Sequence, residues 1–198
     1  MKKLAIIISL VLIFPNIISA QEKKHDITIG YGMITHYALR EITVNLTVTI
    51  LSVDYVNTVY KSGSGAFSLG YRFSPVKRLT IGIDGVYQKI KNDVKTRDDN
   101  DPILIGKLER QFLSTAILTS FRYIDKETFQ MYSGIGVGYT FGKYHYVEND
   151  GEEDFGNSGQ FAGHLNALGI RFGSTIGGFV ELGYGYKGML NFGLSVQL

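Results

Sequence analysis

Apolar and polar residues alternate with a period of two in eight stretches of the chain, and this is its dominant signal. The apolar positions are Ile27, Ile29, Tyr31 and Met33; Phe67, Leu69, Tyr71 and Phe73; Leu79, Ile81, Ile83 and Tyr87; and Leu113, Ile117, Phe121 and Tyr123. The second half continues with Met131, Ile135, Val137, Tyr139 and Phe141; Leu168, Ile170 and Phe172; Val180, Leu182, Tyr184 and Tyr186; and Leu190, Phe192, Leu194, Val196 and Leu198. Each stretch predicts a two-faced β-strand.

The connections alternate as well. Residues 74–78, 124–128 and 173–177 are short links, whereas 34–64, 91–110 and 143–160 are long and polar or irregular; 187–189 is tight. Eight antiparallel strands with short turns at one rim and long loops at the other predict an all-β, eight-stranded transmembrane barrel. The last strand should pair with the first, Ile27 to Met33, so that no edge is left unpaired in lipid. The first long connection reads two ways. Leu39, Ile42, Leu46, Ile50 and Val53 would share a helical face, and a short amphipathic helix over the mouth is slightly favoured. Val44, Leu46, Val48 and Ile50 alternate equally well, and an extra hairpin over 35–64 would give ten strands.

The polar face decides which side meets lipid. It carries Gly30 and Gly32; Ser68, Gly70 and Arg72; Thr80, Gly82 and Asp84; Gly134, Gly136 and Gly138; and Glu181, Gly183 and Gly185. Such a surface is too poor in long charged side chains for a water-facing exterior. Small residues interrupted by a few charges suit a narrow interior. Arg72, Arg122 and Arg171 each stand near the end of an even-numbered strand, before a short turn, and Asp84 and Glu181 come from odd strands near the same rim. They are expected to form a buried network closing the periplasmic end, with a structural role favoured over gating, because an unpaired charge there is costly.

The 198 residues open with Lys2 and Lys3, an apolar run from Leu4 to Phe14, Pro15, and then Ser19 and Ala20. That layout predicts a cleaved signal peptide over 1–20 and a barrel domain over 21–198, although Ile18 is large for its place before the cut. Without the two leader lysines, 18 basic residues face 18 acidic ones, so no net field invites nucleic acid. No cysteine is present, which excludes disulfides, thiolate metal sites and a lipid anchor on sulfur. The 24 glycines, 13 tyrosines and 12 phenylalanines fit closely spaced β structure.

The leader, the eight strands, the loop rhythm and the final strand together resemble the small outer-membrane β-barrel proteins of Gram-negative bacteria, such as outer-membrane proteins X and W and the barrel of protein A. The likeness covers essentially all of 21–198 and is carried by YSGIGVGYTFG and HLNALGIRFGSTIGGFVELGYGYKGMLNFGLSVQL. It implies a location in the bacterial outer membrane, contact with its lipids and lipopolysaccharide, and recognition of the last strand by the barrel-assembly machinery, with Leu198 where a Phe is common. A monomer without cofactor is expected.

Candidate chemistry is sparse. The stretch Gly163-His164-Leu165-Asn166-Ala167 is similar to the His-x-Ser-Asn segment of outer-membrane lipid A deacylases, but Asn166 stands where their nucleophilic serine would be. A structural histidine is expected, with a β-bulge near Asn166 because the apolar parity slips between Phe161 and Leu168. Glu148, Asp150, Glu152, Glu153 and Asp154 gather in one predicted loop and offer a place for Ca²⁺ or Mg²⁺, without the ligand register of an EF-hand. The functional expectation is a non-enzymatic barrel with a structural or surface-binding role and a plugged lumen. The alternatives are transport of a small apolar molecule and, less favoured, lipid A modification; a secreted lipocalin-like carrier would need the faces inverted.

Overall fold

Alternation along each strand becomes pairing between them in the computed structural model, which describes residues 23–40, 56–96 and 103–198. The eight strands are β1 (His25–Met33), β2 (Val56–Val76), β3 (Leu79–Thr96), β4 (Leu104–Asp125), β5 (Phe129–Glu148), β6 (Glu153–Gly173), β7 (Ile176–Gly185) and β8 (Leu190–Gln197). Each pairs antiparallel with its neighbours, and β8 closes on β1, giving a barrel of the predicted strand number and order. The seam runs from Met33↔Leu190 to Asp26↔Gln197, and His25 and Leu198 exchange both backbone hydrogen bonds at its end. The predicted leader, 1–20, and most of the ambiguous connection lie outside the described residues.

The outer wall is apolar and the inner wall polar. Ile29, Leu194 and Val137 are 65%, 63% and 67% exposed, and the alternate residues Thr28, Ser195 and Gly136 are buried. Inward glycines make room for the few large inward side chains. A Cβ at Gly70 would lie 2.5 Å from Asp84 Oδ1, and one at Gly136 would collide with the Tyr186 hydroxyl. A small apolar core fills the lumen near the long-connection end, where Tyr37, Ala66, Val86, Ile90, Ala116, Ala162 and Tyr186 are buried around Phe112.

Strand length differs from the sequence expectation. A tilted spanning strand needs about 9–11 residues. β1, β7 and β8 have 9, 10 and 8, but β2 to β6 have 18 to 22. The predicted loops 91–110 and 143–160 are therefore mostly strand: β3 and β4 remain paired to Lys95↔Leu104, and β5 and β6 to Val147↔Glu153. Polar residues alternate there too, and the ladder continues because each strand keeps a neighbour that satisfies its backbone. β2, expected to follow a connection reaching residue 64, begins at Val56.

Two further local features follow the chain's chemistry. Residues 36–40 are helical, with Thr35 at the N-cap: its Oγ1 accepts from Ala38 N at 3.3 Å. This turn enters the mouth, since Thr35 and Tyr37 are buried, and the helical face expected from Leu39 to Val53 lies, beyond Arg40, outside the described residues. The predicted bulge is present. Register shifts between Asn166 and Leu168 on β6, and with its amide nitrogen facing inward Asn166 donates to the carbonyls of Leu168 at 3.1 Å and Leu182 at 3.2 Å.

Candidate functional site

Inside the barrel the charges form two tiers. In the upper one, Lys187 Nζ stands 2.7 Å from Asp84 and 3.6 Å from Glu181, while Arg72 lies 3.8 Å and 3.7 Å from the same two carboxylates. All four are buried. Tyr132 and Asn191 complete the coordination of Glu181, donating at 3.0 Å and 2.8 Å. Such a cluster holds because every carboxylate oxygen meets a cation or donor.

The lower tier is built mainly from hydrogen bonds. Arg171 Nε donates to Ser195 Oγ, which donates to Asp26; Gln197 donates to the other Asp26 oxygen at 3.1 Å. The remaining guanidinium nitrogens of Arg171 cap the carbonyls of Gly173 and Ser174 in the β6–β7 turn. Arg122 pairs with Asp125, three residues on, at 3.8 Å. The five expected residues are thus all in the lumen, but only Arg72, Asp84 and Glu181 share one cluster.

Lys187 and Asp26 were not singled out from the sequence. Asp26 was legible, since it shares the polar parity of Thr28 and Gly30 on β1. Lys187 was hidden in a predicted tight turn. Gly185 and Gly188, at φ 142° and 104°, bracket that turn and fold Tyr186 and Lys187 back into the barrel. Left-handed backbone at both positions favours glycine.

His164 is buried 5.1 Å from the Tyr186 ring, and neither ring nitrogen has a hydrogen-bond partner among the described residues. Its neighbour Asn166 spends its amide on the bulge, so this pair presents no nucleophile.

At the other end, β2 to β6 continue beyond the rim as a five-stranded sheet. β1 covers β2 only up to Gly32↔Ala66, and β7 covers β6 only from His164. Among the described residues the sheet therefore has two edges with no strand beside them, Val56–Gly65 on β2 and Glu153–Gly163 on β6, each roughly 30 Å long at about 3.4 Å per residue. Its outer wall carries Lys89 on Glu109 at 2.5 Å, and this hydrogen bond holds the Glu109 carboxyl below its ordinary pKa. His145 stacks on Phe155 at 4.3 Å and pairs with Glu153 at 3.3 Å.

The expected acidic set divides here. Glu148, Asp150 and Glu152 bring carboxylate oxygens within 4.8 Å of one another around the β5–β6 turn. Glu153 instead meets His145, and Asp154 accepts from Tyr144 at 3.5 Å. With one oxygen from each carboxylate, about half of the six to eight ligand positions of Ca²⁺ would fall to second carboxylate oxygens, backbone carbonyls or water.

No known protein family matches the chain, and no curated protein matches it. Among solved structures it is similar to Ail, the attachment invasion locus protein of Yersinia pestis, at 13% identity and a TM-score of 0.45, over 89% of this chain and 96% of that one.

Proposed function

We propose that the chain is a non-enzymatic outer-membrane barrel whose lumen is plugged by its two charged tiers and whose sheet beyond the rim binds an extended segment of a partner protein. An exterior of exposed Ile, Leu, Val and Phe around a polar, hydrogen-bonded interior supports a lipid setting, where only closed barrels satisfy the backbone of a β-sheet. In that setting Lys89, Lys91 and Lys143, above the apolar band, face the phosphates of lipopolysaccharide, and the assembly machinery reads β8.

The edge of β6, which has no strand beside it among the described residues, carries the binding reading. Glu148 N donates to Glu152 O, and along an antiparallel pair hydrogen-bonded positions recur every second residue. Asp154, Gly156, Ser158 and Gln160 therefore direct their N–H groups at β5. Phe155, Asn157 and Gly159 direct theirs outward, where a partner strand can add.

Asn157→Pro removes one outward donor without breaking the ladder to β5. Displayed unstructured peptides selected on the wild-type barrel in nanodiscs should lose binding to this variant at least tenfold. Peptides that bind both proteins equally would refute strand addition. Because the chain has no native cysteine, cysteine at Asn157 should also react with an impermeant maleimide on intact cells, and cysteine at Glu127 in the opposite turn should not.

A further inference from the structure

Glycine weakens a strand, and where nothing in the protein demands its small size it often marks the approach of a ligand. A Cβ at most of the described glycines would lie under 3.0 Å from another atom, as at Gly159 with the Tyr139 ring and at Gly138 with the Ala116 backbone. At Gly85, Gly163 and Gly178, all on the outer wall, it would meet nothing closer than 3.8 Å. The one other such glycine, Gly151, serves a turn at φ 94°. Gly85 and Gly163 open into one groove of about 1170 Å³ in the apolar wall, with Thr115, Ile117, Val137 and the 90% exposed Phe161 along it.

A polar pocket of about 290 Å³ stands farther along the same strands. There Lys143 on β5 lies between Gln111 on β4 and Asn157 on β6, roughly 14 Å from Tyr139 at about 3.4 Å per residue. The Lys143 ammonium and the Asn157 amide have no partner among the described residues. Glu109, in the next row, is already held by Lys89 and by Gln111 at 3.1 Å. In the two rows nearest the groove Lys89, Lys91 and Lys143 therefore face Glu109 alone; Asp93 and Glu153 lie a row farther out, with Lys107.

We propose that groove and pocket together seat one molecule of lipid A, the phosphorylated glycolipid of the outer leaflet. One acyl chain lies over Gly163 and Gly85, against Phe161, and a phosphate accepts from Lys143 Nζ and Asn157 Nδ2. The rest of the pocket, with Gln111 and Phe155, faces the sugar that bears the phosphate. A fluid, exchanging chain needs no recess, because it conforms to any apolar wall. A recess kept open by glycine, at a cost in strand stability, fits one chain held in place. A zwitterionic head would leave the lysine excess uncompensated. The seat rests on the proposed outer-membrane setting, and insertion into vesicles is scored separately from lipid retention.

The test is native mass spectrometry of the purified, folded barrel titrated with lipid A, and with phosphatidylglycerol as an anionic lipid that lacks the sugar. A single lipid A adduct that saturates and outcompetes phosphatidylglycerol is expected. Gly163→Leu and Gly85→Leu place a side chain where there is room, so both should fold and insert but weaken lipid A binding by roughly tenfold or more. Lys143→Met should weaken it by roughly tenfold and leave binding of dephosphorylated lipid A unchanged. Gly178→Leu, in a recess lined by Phe172, Phe192 and Leu194 without a lysine, should change nothing. If a leucine variant fails to fold, Lys143→Met and the wild-type competition still decide. Equal affinity for phosphatidylglycerol, or unchanged lipid A binding in the filled variants, would overturn the seat. A barrel that fails to enter vesicles would instead overturn the membrane setting.

Discussion

Leu194→Arg separates a lipid-facing wall from a water-facing one. Leu194 is 63% exposed on β8, opposite Ile29 on β1 and Gly178 on β7. The outward residues of this strand run from Leu190 to Leu198, with Leu194 at the centre. At about 3.4 Å per residue and a tilt near 45°, the two ends lie roughly 10 Å above and below it, inside an apolar band about 25 Å tall. Leu194 is then close to the midplane, where arginine costs about 2–4 kcal/mol. In water the same change at an exposed position would stay within about 0.5 kcal/mol. Val76→Arg is the control: Val76 is 59% exposed but ends β2 beside a short turn, so a cost of about 0–1 kcal/mol is expected near the interface. Urea unfolding in phosphatidylcholine vesicles, followed by the mobility of unheated samples on gels, gives both values. Equal costs at the two positions would refute the assigned faces.

Two further predictions concern the interior. Lys187→Met leaves Asp84 and Glu181 with Arg72 as their remaining cation in the upper tier and should cost about 3–5 kcal/mol, while adding Asp84→Asn should recover part of that loss. Simple additivity in denaturant titrations would show that the cluster does not act as a unit. Gly32→Ala would push a Cβ into the backbone carbonyl of Lys187 and should destabilise by about 1–3 kcal/mol, whereas Gly163→Ala, with open space around its Cβ, should be neutral or stabilise by up to about 1 kcal/mol. Similar midpoints for the two variants would contradict the close approach of the β7–β8 turn to β1.

Strand number, order and facing were legible because an apolar outer wall and a narrow polar lumen impose the strongest contrast a period of two can carry. The same rule hid the sheet beyond the rim. From Lys89 to Lys95, outward Lys91 and Asp93 alternate with inward Ile90, Asn92 and Val94, so the apolar parity reverses from that of Leu79 to Tyr87 and is broken by Asn92, and the stretch reads as loop although β3 stays paired throughout. Only the partner strands, distant in sequence, decide it. The interior was half legible for a related reason. Arg72, Asp84 and Glu181 sit in regular strands whose parity points them inward, but Lys187 reaches the same cluster from a turn, where parity says nothing.

The barrel's uneven height links these observations. On the side formed by β7, β8 and β1 the wall is low, and the chain there turns inward over the rim. Ile34, at φ 54°, reverses β1 toward the mouth, and Met189 N donates to the Met33 carbonyl at 2.9 Å, locking the β7–β8 turn against it. Thr35 then bonds Gln88 on β3 at 2.8 Å, and Tyr37 stacks on Phe112 and donates to Thr140. Lys187 descends from the same rim to neutralise Asp84. The low side therefore adds Thr35, Tyr37 and Lys187 to a lumen that the tall strands line with Arg72, Asp84, Arg122 and Arg171, while among the described residues the tall strands β2 and β6 keep edges with no strand beside them. A barrel of uniform height would have to give up one of these: strands extended over β7 and β8 would carry Lys187 out of reach of Asp84, and strands shortened over β2 to β6 would remove the edges.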